Sequence, residues 1–188
     1  MDLILLQPGR PDVFGGANNW KNGGSLIDDK WRADDLQLGQ CIELISMHQG
    51  MKQQITTDVS NSARTSGRPV ITEFTCVKYV DKTSVKLYDY CLRALPLGAG
   101  IPEPTKLYVM RNSGEKTANI ITISLRDAII SEIQLQTHPD DMPTEQFKLN
   151  FTEILWTYTV QAADTTTPGN LSTGWSIARN RPIGQFTD

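Results

Sequence analysis

Along most of the chain apolar residues alternate with polar ones at a spacing of two, most plainly in EQFKLNFTEILWTYT at residues 145–159. Phe147, Leu149 and Phe151 fall on one side and Lys148, Asn150 and Thr152 on the other, the period of a half-buried strand. From Ile154 onward the large residues move to even numbers, Ile154, Trp156 and Tyr158, so the apolar face slips by one position. Such a slip sends every following side chain to the opposite face. Either a bulge near Thr152 and Glu153 absorbs it, or the strand passes from one packed layer into another.

The same pattern recurs. Residues 41–47, CIELISM, set Ile42 and Leu44 against Cys41 and Glu43, and residues 70–80 set Phe74 and Cys76 against Glu73 and Thr75. Residues 106–110 and a partner from Ala118 are expected to form a hairpin around Asn112, Ser113, Gly114 and Glu115. The span 118–137 keeps strand character throughout, interrupted at Asp127, and reads as one long strand or a bent pair. One helix is expected, with Asp81 or Thr83 as N-cap. Its apolar stripe is Val85, Tyr88, Cys91, Leu92 and Leu95, and Pro96 and Gly98 end it. About seven strands in antiparallel succession with one helix predict a mainly β protein, a compact barrel of two packed sheets with one flanking helix.

Two stretches break the pattern. Between residues 7 and 40 Gly, Pro and Asn stop regular structure, while Trp20 and Trp31 call for cover, so this segment is expected to fold back on the domain. Residues 56–69, TTDVSNSARTSGRP, are poor in apolar content and lie between strand signals. They read as an exposed loop inserted within a single domain of residues 1–188. The segment 161–174 is polar, and GWSIARNRP brings back Trp175 and Ile177 as a tacked-down tail.

Composition narrows the function. Of 188 residues 39% are hydrophobic and 21% charged, enough for one domain with a real core. With 18 basic against 21 acidic residues the formal charge is -3, and no basic field draws the chain to nucleic acid. No apolar run approaches a membrane span and no secretory leader precedes the fold, so neither membrane insertion nor a signal peptide is expected. Cys41, Cys76 and Cys91 lack metal-site spacing, and His48 and His138 are the only histidines. The carboxylate pairs Asp28-Asp29, Asp34-Asp35 and Asp140-Asp141 lie in turn-rich, solvated stretches. No nucleotide-binding, nucleophile-elbow or zinc-protease motif is present. The chain therefore reads as a non-enzyme without cofactor. A carbohydrate-binding β module or a hydrolase is the competing class, since Trp20, Trp31, Trp156 and Trp175 are able to stack on sugars.

At TEFTCVKYVDKTSVKLYDYCL the sequence resembles the haemolysin-coregulated protein family, Hcp, the inner-tube subunit of bacterial type VI secretion systems. The strand CIELISM, the junction VKYVDKTS, the long ISLRDAIISEIQLQ, the strand PTEQFKLNFTEILWTY and the closing GWSIARNRP are similar to family segments in the same order. They cover residues 41–182; the long 7–40 segment, Leu155 and Trp156 depart from the family pattern.

The resemblance implies homohexameric rings that stack into a hollow tube. A sheath expels the tube, a spike caps it, and small effectors travel in its lumen. Assembly takes place in the bacterial cytoplasm and the subunit then leaves the cell without a signal peptide. On this reading Lys148, Asn150 and Thr152 are expected to face the lumen, and Trp156 and Tyr158 to lie on a surface buried only on assembly. The 56–69 loop, with Thr57, Asp58, Ser60, Asn61, Arg64, Thr65 and Ser66, is expected to make the ring-to-ring contact. A tail-tube subunit of a phage or phage-like contractile particle shares the fold and is the nearest alternative.

Overall fold

The structure is a computed structural model and describes residues 2–14, 38, 40–56, 65–112, 117–160 and 169–188. In chain order the elements are β1 (Asp2–Gln7), a 3-10 turn (Pro11–Phe14), β2 (Ile42–Leu44), β3 (Ser46–His48), β4 (Met51–Lys52), β5 (Ile55–Thr56), β6 (Thr65–Ser66), β7 (Val70–Ile71) and β8 (Phe74–Tyr79). There follow α1 (Ser84–Leu92), β9 (Thr105–Asn112), β10 (Thr117–Arg126), β11 (Ile129–Gln136), β12 (Thr144–Asn150), β13 (Glu153–Val160), β14 (Gly169–Ser176) and β15 (Arg181–Ile183). All pairings are antiparallel, and they build a seven-stranded sheet in the order β15-β14-β13-β10-β9-β1-β2 and a four-stranded sheet in the order β11-β12-β8-β3.

The expected mainly β architecture with one helix is what forms. Among the described residues neither sheet closes on itself, because β15 and β2 end one ladder and β11 and β3 the other. Continuity comes instead from strands that change sheet at a bend, the device that joins the corners of packed sheets. The run β2–β3 crosses at Ile45, whose N–H donates to the Val77 carbonyl at 2.7 Å. The expected bent pair β10–β11 crosses at Asp127, held in the left-handed region at φ 51°. The run β12–β13 crosses at Phe151 and Thr152.

This last crossing is the phase slip. Phe147, Leu149 and Phe151 are buried on one parity, Ile154 on the other, and β12 and β13 belong to different sheets. The slip is therefore a change of layer. Two bends meet there: Thr152 N–H donates to the Arg126 carbonyl at 3.1 Å and its Oγ1 to Asp127 Oδ2 at 3.0 Å.

The core lies between the sheets, with Ile42, Leu107, Leu125 and Ile154 from the larger and Phe74, Cys76, Ile130, Phe147 and Leu149 from the smaller. Phe74 and Phe151 meet at a ring-centroid distance of 5.8 Å. A second cluster of Leu3, Leu5, Cys41, Tyr108 and Met110 forms on the other parity of β1 and β9, and Leu38 packs against it. The end of the 7–40 segment thus returns to the domain as expected; Trp20 and Trp31 lie outside the described residues. Within the same segment Val13 and Phe14 are buried in the main core.

The helix buries only part of the face its apolar pattern predicts, since Cys91 and Leu95 pack against the core but Val85 and Leu92 do not. Ser84, Leu87 and Tyr90 are buried, whereas Val85 and Leu92 are 71% and 87% exposed. Leu87 enters the main core, and polar anchors flank it on the same side. Tyr90 donates to Asp12 Oδ2 at 2.6 Å, and Ser84 Oγ donates to Glu145 Oε1 at 2.8 Å. Thr83 holds the N-cap position, and the Asp81 carboxylate accepts from its N–H at 2.7 Å.

That anchor belongs to a buried knot of charge at the β8–α1 corner. Lys78 Nζ lies 2.8 Å from Glu145 Oε1 and 3.0 Å from Asp81 Oδ1, and also donates to the Tyr79 carbonyl at 2.8 Å and Ser84 Oγ at 3.1 Å. Lys78 and Glu145 are direct cross-strand partners.

Candidate assembly surfaces

Strand β12 has two chemically opposite faces because side chains alternate across a sheet. Phe147 and Leu149 enter the core; Lys148 and Asn150 point the other way. On that outer face Lys148 is opposite Glu132 of β11 and Thr75 of β8, and His48 of β3 continues the row. Lys148 Nζ and Glu132 form an ion pair, and Gln134 donates to the same carboxylate. The hydrogen bond from Lys148 holds Glu132 below the usual carboxylate range, and reciprocally holds Lys148 above the usual lysine range. Glu73 bridges two strands, accepting from Asn150 Nδ2 at 2.8 Å and from Ser131 Oγ at 2.9 Å. The structure thus brings Lys148 and Asn150 together and adds Glu73 and Glu132. Thr152 is exposed at the bend, where Ile177 N–H donates to its carbonyl at 2.9 Å.

The two edges of this small sheet differ in length. Among the described residues β11 pairs only with β12, apart from a bridge between Pro96 and Ile129, and β3 pairs only with β8. Because the sheet holds four antiparallel strands, the two edge strands run in opposite directions.

Trp156 and Tyr158 lie on the core-facing parity of β13. Trp156 is opposite Ile123 and Thr173, and Tyr158 is opposite Ile121 and Leu171. Ile154 is fully buried, Trp156 is half-buried against the main core, and Tyr158 and Leu171 are exposed. One apolar row therefore runs out of the core into solvent.

Residues 51–56 and 65–71, which flank and partly overlap the expected 56–69 loop, form a two-stranded arm. β4 pairs with β7 and, farther out, β5 with β6. Thr72 N–H donates to the Gly50 carbonyl at 2.9 Å and Gly67 N–H to the Gln54 carbonyl at 3.0 Å. Met51, Ile55 and Val70 are exposed along it. Thr65 and Ser66 form β6; Thr57, Asp58, Ser60, Asn61 and Arg64 lie outside the described residues. Arg68 Nη2 donates to the Ile177 carbonyl at 2.6 Å, tying the arm to the body.

Among the described residues, no group of three or more His, Cys, Asp or Glu side chains converges in a way that could hold a metal ion. His48 and His138 are exposed. Burial pushes the thiols of Cys41 and Cys76 up to about 12, so both stay protonated and unreactive. Among the described residues no helix is long and apolar enough to cross a membrane.

A mainly β fold of two linked antiparallel sheets, one of them polar-faced and ending among the described residues on β11 and β3, has the form of a type VI secretion Hcp protein. Residues 33–158 match the family described as type VI secretion system effector, Hcp, and the chain belongs to that family. The match begins inside the 7–40 segment. Of the solved structures, one described as a type six secretion system protein aligns at a TM-score of 0.71 and 17% identity, covering 97% of this chain and 100% of its own. Hcp1 from Salmonella typhimurium aligns at 0.65 and 18%, covering 97% and 99%. Hcp2 from Salmonella typhimurium aligns at 0.51 and 17%, covering 93% and 94%. At these identities the likeness is one of fold. No curated protein matches the sequence.

Proposed function

We propose that six copies of this chain close into a ring, that rings stack into a hollow tube, and that the outer face of the small sheet lines its lumen. The observation that carries the reading is that sheet itself, which buries one face, presents a water-compatible face of Lys148, Asn150, Glu73 and Glu132, and ends, among the described residues, on β3 and on a β11 whose one further partner is the Pro96 bridge at Ile129. Edges that run in opposite directions allow β11 of one copy to continue antiparallel from β3 of the next. Such a contact joins unlike surfaces and closes only by cyclic repetition. Trp156, Tyr158 and Leu171 supply apolar area that assembly covers, and the arm reaches the next ring. The tube carries small effector proteins, is expelled by a contracting sheath behind a spike, and leaves the cell with its cargo.

The test is mass by light scattering together with negative-stain microscopy of the purified protein. Rings of six copies, and tubes at higher concentration, are expected. Deleting residues 53–67 is expected to abolish tubes and spare rings. A particle that stays monomeric at every concentration would sink the proposal.

A further inference from the structure

The arm does not depend on its base alone for direction. At the base Ile71 packs against the main core, but beyond it Arg68 reaches back to the Ile177 carbonyl at 2.6 Å. Ile177 is itself fixed: its side chain packs against the core and its N–H donates to the Thr152 carbonyl at 2.9 Å. Thr152 in turn receives nothing loose, since its N–H donates to the Arg126 carbonyl at 3.1 Å. Arg126 is gripped by Glu153 Oε2 at 3.2 Å and by the oxygens of Thr187. Thr187 closes this clamp by donating its N–H to Glu153 Oε2 at 3.0 Å.

We propose that Arg68 is a positioning residue that fastens the arm to the bend where β10 and β12 change sheet, so that arm and bend move as one body. A guanidinium donating to a carbonyl is a charge-assisted bond with fixed planar geometry, which a flexible ammonium copies only in part. Fastening before contact removes conformational freedom that association otherwise has to remove, which is how preorganisation strengthens an interface. The consequence for stacking rests on the tube reading above; the fastening itself does not.

The experiment places spin labels at Gln54→Cys and Gln185→Cys in a Cys91→Ser background, where Cys41 and Cys76 are buried, and measures the distance distribution below the concentration at which tubes form. Arg68→Met is expected to broaden the distribution about twofold and to raise the concentration needed for tubes about fivefold, the scale of one lost hydrogen bond. Arg68→Lys, which keeps a donor, is expected to fall between the two. An unchanged width in Arg68→Met overturns the fastening. If deletion of residues 53–67 leaves tubes intact while Arg68→Met still broadens the distribution, the stacking reading fails and the fastening stands.

Discussion

Strand β12 contributes to two lysine–glutamate pairs, one on each of its faces. Glu145 pairs with Lys78 across to β8, and Lys148 pairs with Glu132 across to β11. Lys148 stands three positions after Glu145, an odd step, so the first pair points into the core and the second out of it. Their side chains are 0% and 1% exposed in the inner pair, against 35% and 38% in the outer. The same chemistry is a structural pin inside, where every donor of Lys78 has a partner, and a solvated surface feature outside. A third pair, Arg126 with Glu153, stands between them at 22% and 3%.

The sharpest way to break the comparison is to take the buried carboxylate away from the inner lysine. Glu145→Gln leaves the buried ammonium with Asp81 as its one remaining carboxylate and is expected to cost about 3 kcal/mol in denaturant unfolding, the low end for a broken buried pair. Adding Lys78→Met removes that stranded charge, so the double variant should lose less than the sum of the two single ones. Strict additivity would count against a coupled knot.

Glu153 is expected to give an intermediate loss, about 1–3 kcal/mol for Glu153→Gln. Its pH signature is separate. Burial alone raises its pKa, but hydrogen bonds from Thr187 and Ser176 and the charge of Arg126 outweigh burial and bring it below 4.5. A depressed folded pKa means stability that is present above the unfolded value and lost as pH falls through the folded one. Thermal melts of the native chain should therefore drop below pH 4.5, and those of Glu153→Gln should drop less. Parallel curves for the two proteins would rule this out.

The smallest effect belongs to the outer pair. Lys148→Gln is expected to leave the denaturation midpoint nearly unchanged, and salt should shrink even that difference. Charges introduced at Asn150 should leave rings intact on native electrophoresis, because a lumen face touches no neighbour. Loss of the ring in Asn150→Lys would move this face from lumen to interface.

What the sequence made legible follows the same division. The slip between Phe151 and Ile154 could be read because alternation has a period of two and a change of parity has few physical outcomes. Its meaning as a change of layer needed the sheet order, which depends on partners far along the chain. Lys78 and Glu145 resisted reading because a charge in a strand looks solvated until its partner is known. That omission also misdirected the helix: Val85 and Leu92 belong to the apolar stripe, yet the side that turns inward carries Ser84, Leu87 and Tyr90, with Glu145 and Asp12 as polar partners. Strand β14 was hidden for another reason. Gly169–Thr173 are exposed and mostly polar, and the ladder to β13, not an apolar face, holds them in place. Of the assembly residues, parity placed Lys148 and Asn150 on one face, but their contact with Glu73 needed the strand order, and no local signal marks Thr152 as part of a bend rather than of that face.

The central claim is that the open edges of the small sheet meet in a ring. It is tested most directly by cysteine pairs set across them, one at Gln134, Leu135 or Gln136 of β11 and one at Ser46, Met47 or His48 of β3, in a Cys91→Ser background. On mild oxidation the account predicts, for the pairs in register, a covalent ladder on a non-reducing gel that ends at six copies. Folded variants that yield no ladder from any of these combinations would contradict it.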